Sequence, residues 1–155
     1  MKFMINGALT VGTRDGATIE MAEEAGPENL FLFGLTAQQV TESRGWYSPW
    51  WHYHNDLETH QALDLIGGDH FSRDEPGLFR PIWDTMLSSG DFYLHLADLA
   101  DYTRAHAQVG PLYQTPDAWT RKAILNVGAS GKFSSDRSIA DYAAQIWNAR
   151  PCPVT

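Results

Sequence analysis

The sequence predicts an α/β protein in which a short β-α-β unit over residues 1–34 is followed by a mostly helical portion over residues 35–155. Three observations carry this. Two apolar runs, "ALTVGT" (8–13) and "NLFLFG" (29–34), read as strands, and between them "ATIEMAEEAG" (17–26) sets Ile19, Ala22 and Ala25 at helical spacing beside Glu20, Glu23 and Glu24. From Thr36 onward the pattern is helical almost throughout, broken at Gly45, Gly67-Gly68, Gly90, Pro116 and Gly131. At 155 residues, 43% of them hydrophobic, the chain has the size and composition of one globular domain able to bury a core.

Each element has its own signal. "ALTVGT" is a β-branched run between Gly7 and the turn-forming Asp15-Gly16, and the helix after it stops at Gly26-Pro27. "NLFLFG" is continuously apolar, which predicts a strand covered on both faces. Two parallel strands do not make a stable sheet, so the pattern implies a larger sheet around them. Helices are expected over residues 36–45, 46–68, 75–90, 97–114, 116–131 and 134–149. In the last, Ile139, Tyr142, Ala143, Ile146 and Trp147 form an amphipathic stripe, and Ser134, Ser135 and Asp136 are expected to cap it.

Charge and cysteine usage exclude several classes. The net charge is −8, and the three lysines (Lys2, Lys122, Lys132) and eight arginines are scattered, so no basic face exists to neutralise a nucleic-acid backbone. The single cysteine, Cys152, forms no internal disulfide, which fits a cytoplasmic setting. No 18-residue apolar run is present, so no membrane association is expected.

Several clusters invite a chemical reading. "GALTVGTR" spaces two glycines like a phosphate-binding loop, but Thr13-Arg14 stand where Lys-Ser/Thr should follow. His52, Asp56 and His60 at i, i+4 and i+8 share one face of the expected 46–68 helix; without a further ligand they read as a solvated face rather than a metal site. Trp46, Trp50 and Trp51 suit a sugar platform or, as the commoner use of aromatic residues at this spacing, core packing. The polar run Lys132, Ser134, Ser135, Asp136 and Arg137 reads as a helix-capping segment. Glu20, Glu23 and Glu24 read as solvated first turns of a helix, and His95 and His106 have no nucleophile beside them.

The opening "MKFMINGALTVGTRDGATIEMAEEAG" and the closing "WTRKAILNVGASGKFSSDRSIADYAAQIW" together resemble the C-terminal end of the glycogen, starch and maltodextrin phosphorylases. "YLHLADLADYTRAHAQVGPLYQTPDAW" is similar to the bacterial maltodextrin members, and the resemblance is weakest through "WYSPWWHYHNDLETHQ". It implies the C-terminal part of a Rossmann-like (GT-B type) domain. It further implies that Lys2, in "MKF", is the lysine that forms the Schiff base with pyridoxal 5′-phosphate. The implied reaction is phosphorolysis of α-1,4-glucan to glucose 1-phosphate, in which the cofactor's 5′-phosphate relays a proton to substrate phosphate. The implied partners are the remainder of the phosphorylase chain and a second copy in a homodimer.

In that family the groups that hold the two phosphates precede the lysine, and Met1 matches an internal methionine. The isolated chain is therefore expected to have no phosphorolytic activity. The alternative is a stand-alone, non-catalytic helical interaction module that associates with a full-length phosphorylase.

Overall fold

The computed structural model describes residues 1–150 and 152; Pro151, Pro153, Val154 and Thr155, the end of the expected 35–155 portion, lie outside the described residues. In chain order the elements are α1 (Lys2–Ile5), β1 (Val11–Thr13), α2 (Gly16–Ala25), a 3-10 turn (Pro27–Asn29), β2 (Phe31–Phe33), α3 (Ala37–Ser43), α4 (Pro49–Asn55) and α5 (Leu57–Gly67). There follow α6 (Arg80–Met86), α7 (His95–Ala107), α8 (Val109–Tyr113), α9 (Pro116–Ala129), a second 3-10 turn (Ser130–Phe133) and α10 (Ser135–Gln145). The expected β-α-β unit is present, with β1 and β2 hydrogen-bonded neighbours. Phe31 N–H donates to the Thr10 carbonyl and Arg14 N–H to the Phe33 carbonyl, a register that advances along both strands together, as in a parallel pair.

Both strands are shorter than the apolar runs. Pro27 starts a 3-10 turn that takes Asn29 out of the strand, and Gly34, at φ 86°, ends β2. The expected burial on both faces holds only for Phe31; Leu32 and Phe33 are half-buried.

The chain divides into two compact units. The first comprises Met1–Gly12, Gly16–Leu32 and Gln108–Thr155. Its core is Met4, Met21, Ala22 and Leu30, with Ala25, Leu32, Ala129 and Phe133 packed against them. A buried amide threads this core: Asn126, 0% exposed on α9, donates to the carbonyls of Asn29 and Lys122, both at 2.9 Å. Lys122 in turn donates to the Glu28 carbonyl. These bonds satisfy the backbone of the 3-10 turn where it leaves the helical ladder.

The second unit comprises Thr13–Asp15 and Phe33–Ala107. Leu63, Leu87 and Leu96 form its core, with Tyr53, Trp83 and Met86 against them. α3 opens with a capping box, in which Thr36 Oγ1 accepts from Gln39 N–H and the Gln39 side chain accepts from Thr36 N–H. At the turn after β2, Gly34 N–H donates to Asp101 at 2.7 Å and Leu35 N–H to Asp98 at 2.8 Å, so two carboxylates one turn apart on α7 satisfy successive amides.

Several expected helices are divided or shortened. Residues 46–68 form α4 and α5, because Asp56 takes an extended conformation (φ −122°, ψ 111°) and caps α5. Residues 97–114 break at Gln108 into α7 and α8, and residues 75–90 are helical only over α6, after turns that include Gly77 at φ 83°. The expected helix over 134–149 ends at Gln145, so of the expected stripe Ile139 and Tyr142 lie on α10 while Ile146 and Trp147 lie beyond it, and all four are exposed.

Candidate functional site around Lys2

Lys2 begins α1, a single helical turn that no periodicity in the sequence announces. Its end is a Schellman motif. Ala8 N–H donates to the Phe3 carbonyl and Gly7 N–H to the Met4 carbonyl, each at 3.0 Å, with Gly7 at φ 81°. Asn6 closes the turn from its side chain, donating to the Lys2 carbonyl at 2.7 Å. "N-G" after four helical residues is therefore the signal that a search for longer periodic segments passes over.

The turn is anchored from below. Met4 is 0% exposed within the first unit's core, whereas Met1, Phe3 and Ile5 are exposed and leave an apolar surface beside the lysine. The Lys2 side chain is exposed, and among the described residues it has no hydrogen bond or ion pair. The Lys2 backbone is fixed within one closed helical turn.

Beside Met1 lies a recess of about 470 Å³ lined by Glu20, Glu23, Glu24, Lys132 and Arg137. Its cations are committed locally. Lys132 pairs with Glu24 at 3.1 Å, and Arg137 pairs with Asp141 at 2.5 Å and donates to the Lys132 carbonyl at 2.7 Å. The three glutamates are exposed, as expected, but they occupy the middle and last turns of α2 rather than the first.

The 132–137 run does not cap α10 through its side chains. Ser134 is the N-cap residue without a side-chain capping bond, and its carbonyl accepts from Ser138 N–H. The Arg137 contacts orient the segment instead.

The other clusters resolve on geometry. Gly12, in the loop-like "GALTVGTR", faces Thr18: a Cβ there would lie 2.8 Å from the threonine methyl, so the glycine serves close strand–helix approach. His52, Asp56 and His60 do not share a helical face, because the chain breaks at Asp56. Asp56 accepts from Thr59 Oγ1 at 2.6 Å and from Glu58 N–H, and the first of these bonds holds its carboxyl below the usual carboxylate range. His60 stacks on Tyr53 at 4.1 Å between ring centroids and pairs with Asp64 at 3.1 Å. Among the described residues no cluster of three or more metal-ligating side chains is found.

The tryptophans depart from the core-packing expectation. Trp50 packs edge-on against Tyr53 and Trp83, but Trp46 and Trp51 are 76% and 61% exposed. Pro49 is the buried residue at the start of α4, and its neighbours Ser48 and Trp50 are exposed.

The carbohydrate phosphorylase family model matches residues 1–149, which places the whole Lys2 turn and every strand and helix among the described residues inside the match. The chain belongs to the carbohydrate phosphorylase family. It is 49% identical over 153 residues to a glycogen phosphorylase of Synechocystis sp., and 47% identical over 152 residues to that of Chlamydia trachomatis. It is also 49% identical over 152 residues to the human brain-form glycogen phosphorylase. Each of these matches covers 97% of this chain but only 18% or 19% of the relative, so the chain spans about a fifth of their length. Among the described residues no helix is long and apolar enough to cross a membrane.

Proposed function

We propose that this chain is the C-terminal portion of the cofactor-binding, Rossmann-like (GT-B type) domain of an α-glucan phosphorylase, and that Lys2 is its pyridoxal 5′-phosphate lysine. The observation that carries the reading is the family match over residues 1–149 together with an unpaired lysine side chain standing on a capped, core-anchored turn. A covalent tether requires an amine that is reachable and fixed in direction, and the Lys2 turn supplies both.

The residues around Lys2 fit the tether and not the rest of the cofactor. Lys132 and Arg137 are held by Glu24 and Asp141, and Glu20 and Glu23 beside them are poor company for a dianion. Cations for the cofactor phosphate and the substrate phosphate thus come from the remaining four fifths of a phosphorylase. When bound, the cofactor supplies a phosphate that exchanges a proton with substrate phosphate; this chain's part is to hold the tether in place.

The uncovered apolar surfaces, Met1, Phe3 and Ile5 on α1 and the α10 stripe, support the remainder of the phosphorylase chain as the partner. In this reading the protein acts in the cytoplasm, as a homodimer, on α-1,4-glucan and phosphate.

The test is glucose 1-phosphate formation from maltodextrin and phosphate. A phosphorylase containing this segment is active and its Lys2→Ala variant falls to background, while the purified 155-residue chain is inactive. Activity retained in the Lys2→Ala variant overturns the assignment of Lys2. Turnover by the isolated chain overturns the division of labour.

A further inference from the structure

The backbone bonds that close α1 pass over one carbonyl. Ile5 N–H donates to the Met1 carbonyl, Asn6 N–H and Ala8 N–H both donate to that of Phe3, and Gly7 N–H donates to that of Met4. Lys2 is passed over because Asn6 N–H bonds three residues back, in the tighter 3-10 pattern, where a continuing α-helix bonds four back. The Asn6 side chain reaches the Lys2 carbonyl instead, at 2.7 Å.

Each anchor of the turn fixes a different feature. Met4, fully buried, sets the rotation of α1 about its own axis: at about 100° per residue, Lys2 lies about 200° round from Met4 and is directed away from the core. Gly7, at φ 81°, sets where the turn ends. Neither holds the peptide plane between Lys2 and Phe3. The Asn6 amide does, because a directional bond to the Lys2 carbonyl restricts ψ of Lys2 and therefore the direction in which its Cα–Cβ bond leaves the backbone.

This bond counts for little in stability. It lies at the surface, where water satisfies the same carbonyl, and such an exchange is nearly neutral. Its consequence is directional. The long, flexible Lys2 side chain has no hydrogen bond or ion pair among the described residues, so its backbone is what orients it.

We propose that Asn6 is a positioning residue for the lysine tether: through the Lys2 carbonyl, its side-chain amide presents the Lys2 amine to the cofactor in a fixed direction. The inference rests on the assignment of Lys2 as the pyridoxal 5′-phosphate lysine. In this role Asn6 acts only through Lys2. A misplacement of about 1 Å can slow a reacting pair about a hundredfold, and with Met4 and Gly7 still in place the loss of this one restraint should slow it about tenfold.

Other bonds of the same reach show which replacement preserves it. Ser138 Oγ donates to the Ser134 carbonyl at 3.1 Å and Thr103 Oγ1 to the Leu99 carbonyl at 3.0 Å, so a hydroxyl spans the same four-residue step. Asn6→Ser therefore keeps a donor to the Lys2 carbonyl. Asn6→Ala and Asn6→Leu remove it, the second without loss of bulk.

The test uses a phosphorylase containing this segment, stripped of cofactor and mixed with saturating pyridoxal 5′-phosphate. Borohydride quenching at intervals, with peptide mapping, gives the first-order rate at which the Lys2 amine becomes linked to the cofactor aldehyde with loss of water. Asn6→Ala and Asn6→Leu should slow that rate about tenfold with the urea midpoint nearly unchanged, and Asn6→Ser should restore it. Gly12→Ala, which disturbs the contact of β1 with Thr18 on α2, should lower the urea midpoint and leave the rate unchanged. Equal rates in the parent, Asn6→Ala and Asn6→Leu proteins overturn the role of Asn6, as does Asn6→Ser as slow as Asn6→Ala, or the same slowing in Gly12→Ala. In each of these cases a label on Lys2 of the parent leaves the tether assignment standing. A parent labelled on Lys122 or Lys132 in place of Lys2 overturns both.

Discussion

The side-chain amide of Asn6 donates to the carbonyl of Lys2 at 2.7 Å, closing a one-turn helix that is too short to hold itself together by helical propensity. Asn6, the Gly7 Schellman turn and the buried Met4 side chain supply what propensity does not. The lysine's backbone is fixed while its side chain points away from the core.

Gly7 stands at φ 81° with no close neighbour for an added Cβ, so Gly7→Ala isolates the backbone effect. It should lower stability by about 1–2 kcal/mol, read as a reduced urea midpoint at unchanged slope. Met4→Ala removes the fully buried anchor and should cost about 2–5 kcal/mol.

Gly12→Ala should cost about 1–3 kcal/mol, because its Cβ would meet the Thr18 methyl at 2.8 Å and hydroxyl at 3.2 Å, both on a stiff β-branched side chain. The double variant with Thr18→Ala should recover most of that loss. An additive pair would mean that the two residues do not meet.

How much of this was legible in the sequence depends on the range of the interaction concerned. β1, α2 and β2 could be read because "ALTVGT", "ATIEMAEEAG" and "NLFLFG" carry their patterns locally. α1 could not, since one turn has no periodicity and only "N-G" marks its end. The break at Asp56 was hidden because aspartate is tolerated within a helix as well as at a cap, and what selects the cap here is its bond to Thr59. The exposure of Trp46 and Trp51 is a tertiary fact that helical spacing alone does not carry. Lys2 itself was found through resemblance, not pattern.

Asp101 and Asp98 should separate on acid titration. The Arg104 hydrogen bond, followed by the Gly34 N–H, holds the Asp101 carboxyl below the usual carboxylate range, while burial raises that of Asp98. A depressed carboxyl contributes stability that is complete above the unfolded-state range and is lost as pH falls through the folded value. Asp101→Asn should therefore destabilise by about 1 kcal/mol at neutral pH, with partial solvent exposure reducing the effect, and the gap to the parent should close in acid. Asp98→Asn should show the opposite trend, gaining on the parent as pH rises through the carboxylate range. Urea midpoints measured across that range read both.

Tyr47→Phe removes the hydroxyl that donates to Asp91 and leaves that buried carboxylate with only the Leu96 N–H. A loss of about 1–3 kcal/mol is expected. Chemical denaturation compared with Trp46→Ala, which should be nearly neutral at an exposed position, checks it.

The most direct measurement is borohydride reduction of the native-length protein as isolated from its own cells, without added cofactor, followed by peptide mapping of the reduced lysine. The account predicts a phosphopyridoxyl group on Lys2 and none on Lys122 or Lys132. A label on either of those lysines in place of Lys2, or a fully active phosphorylase with Lys2 unlabelled, would contradict it.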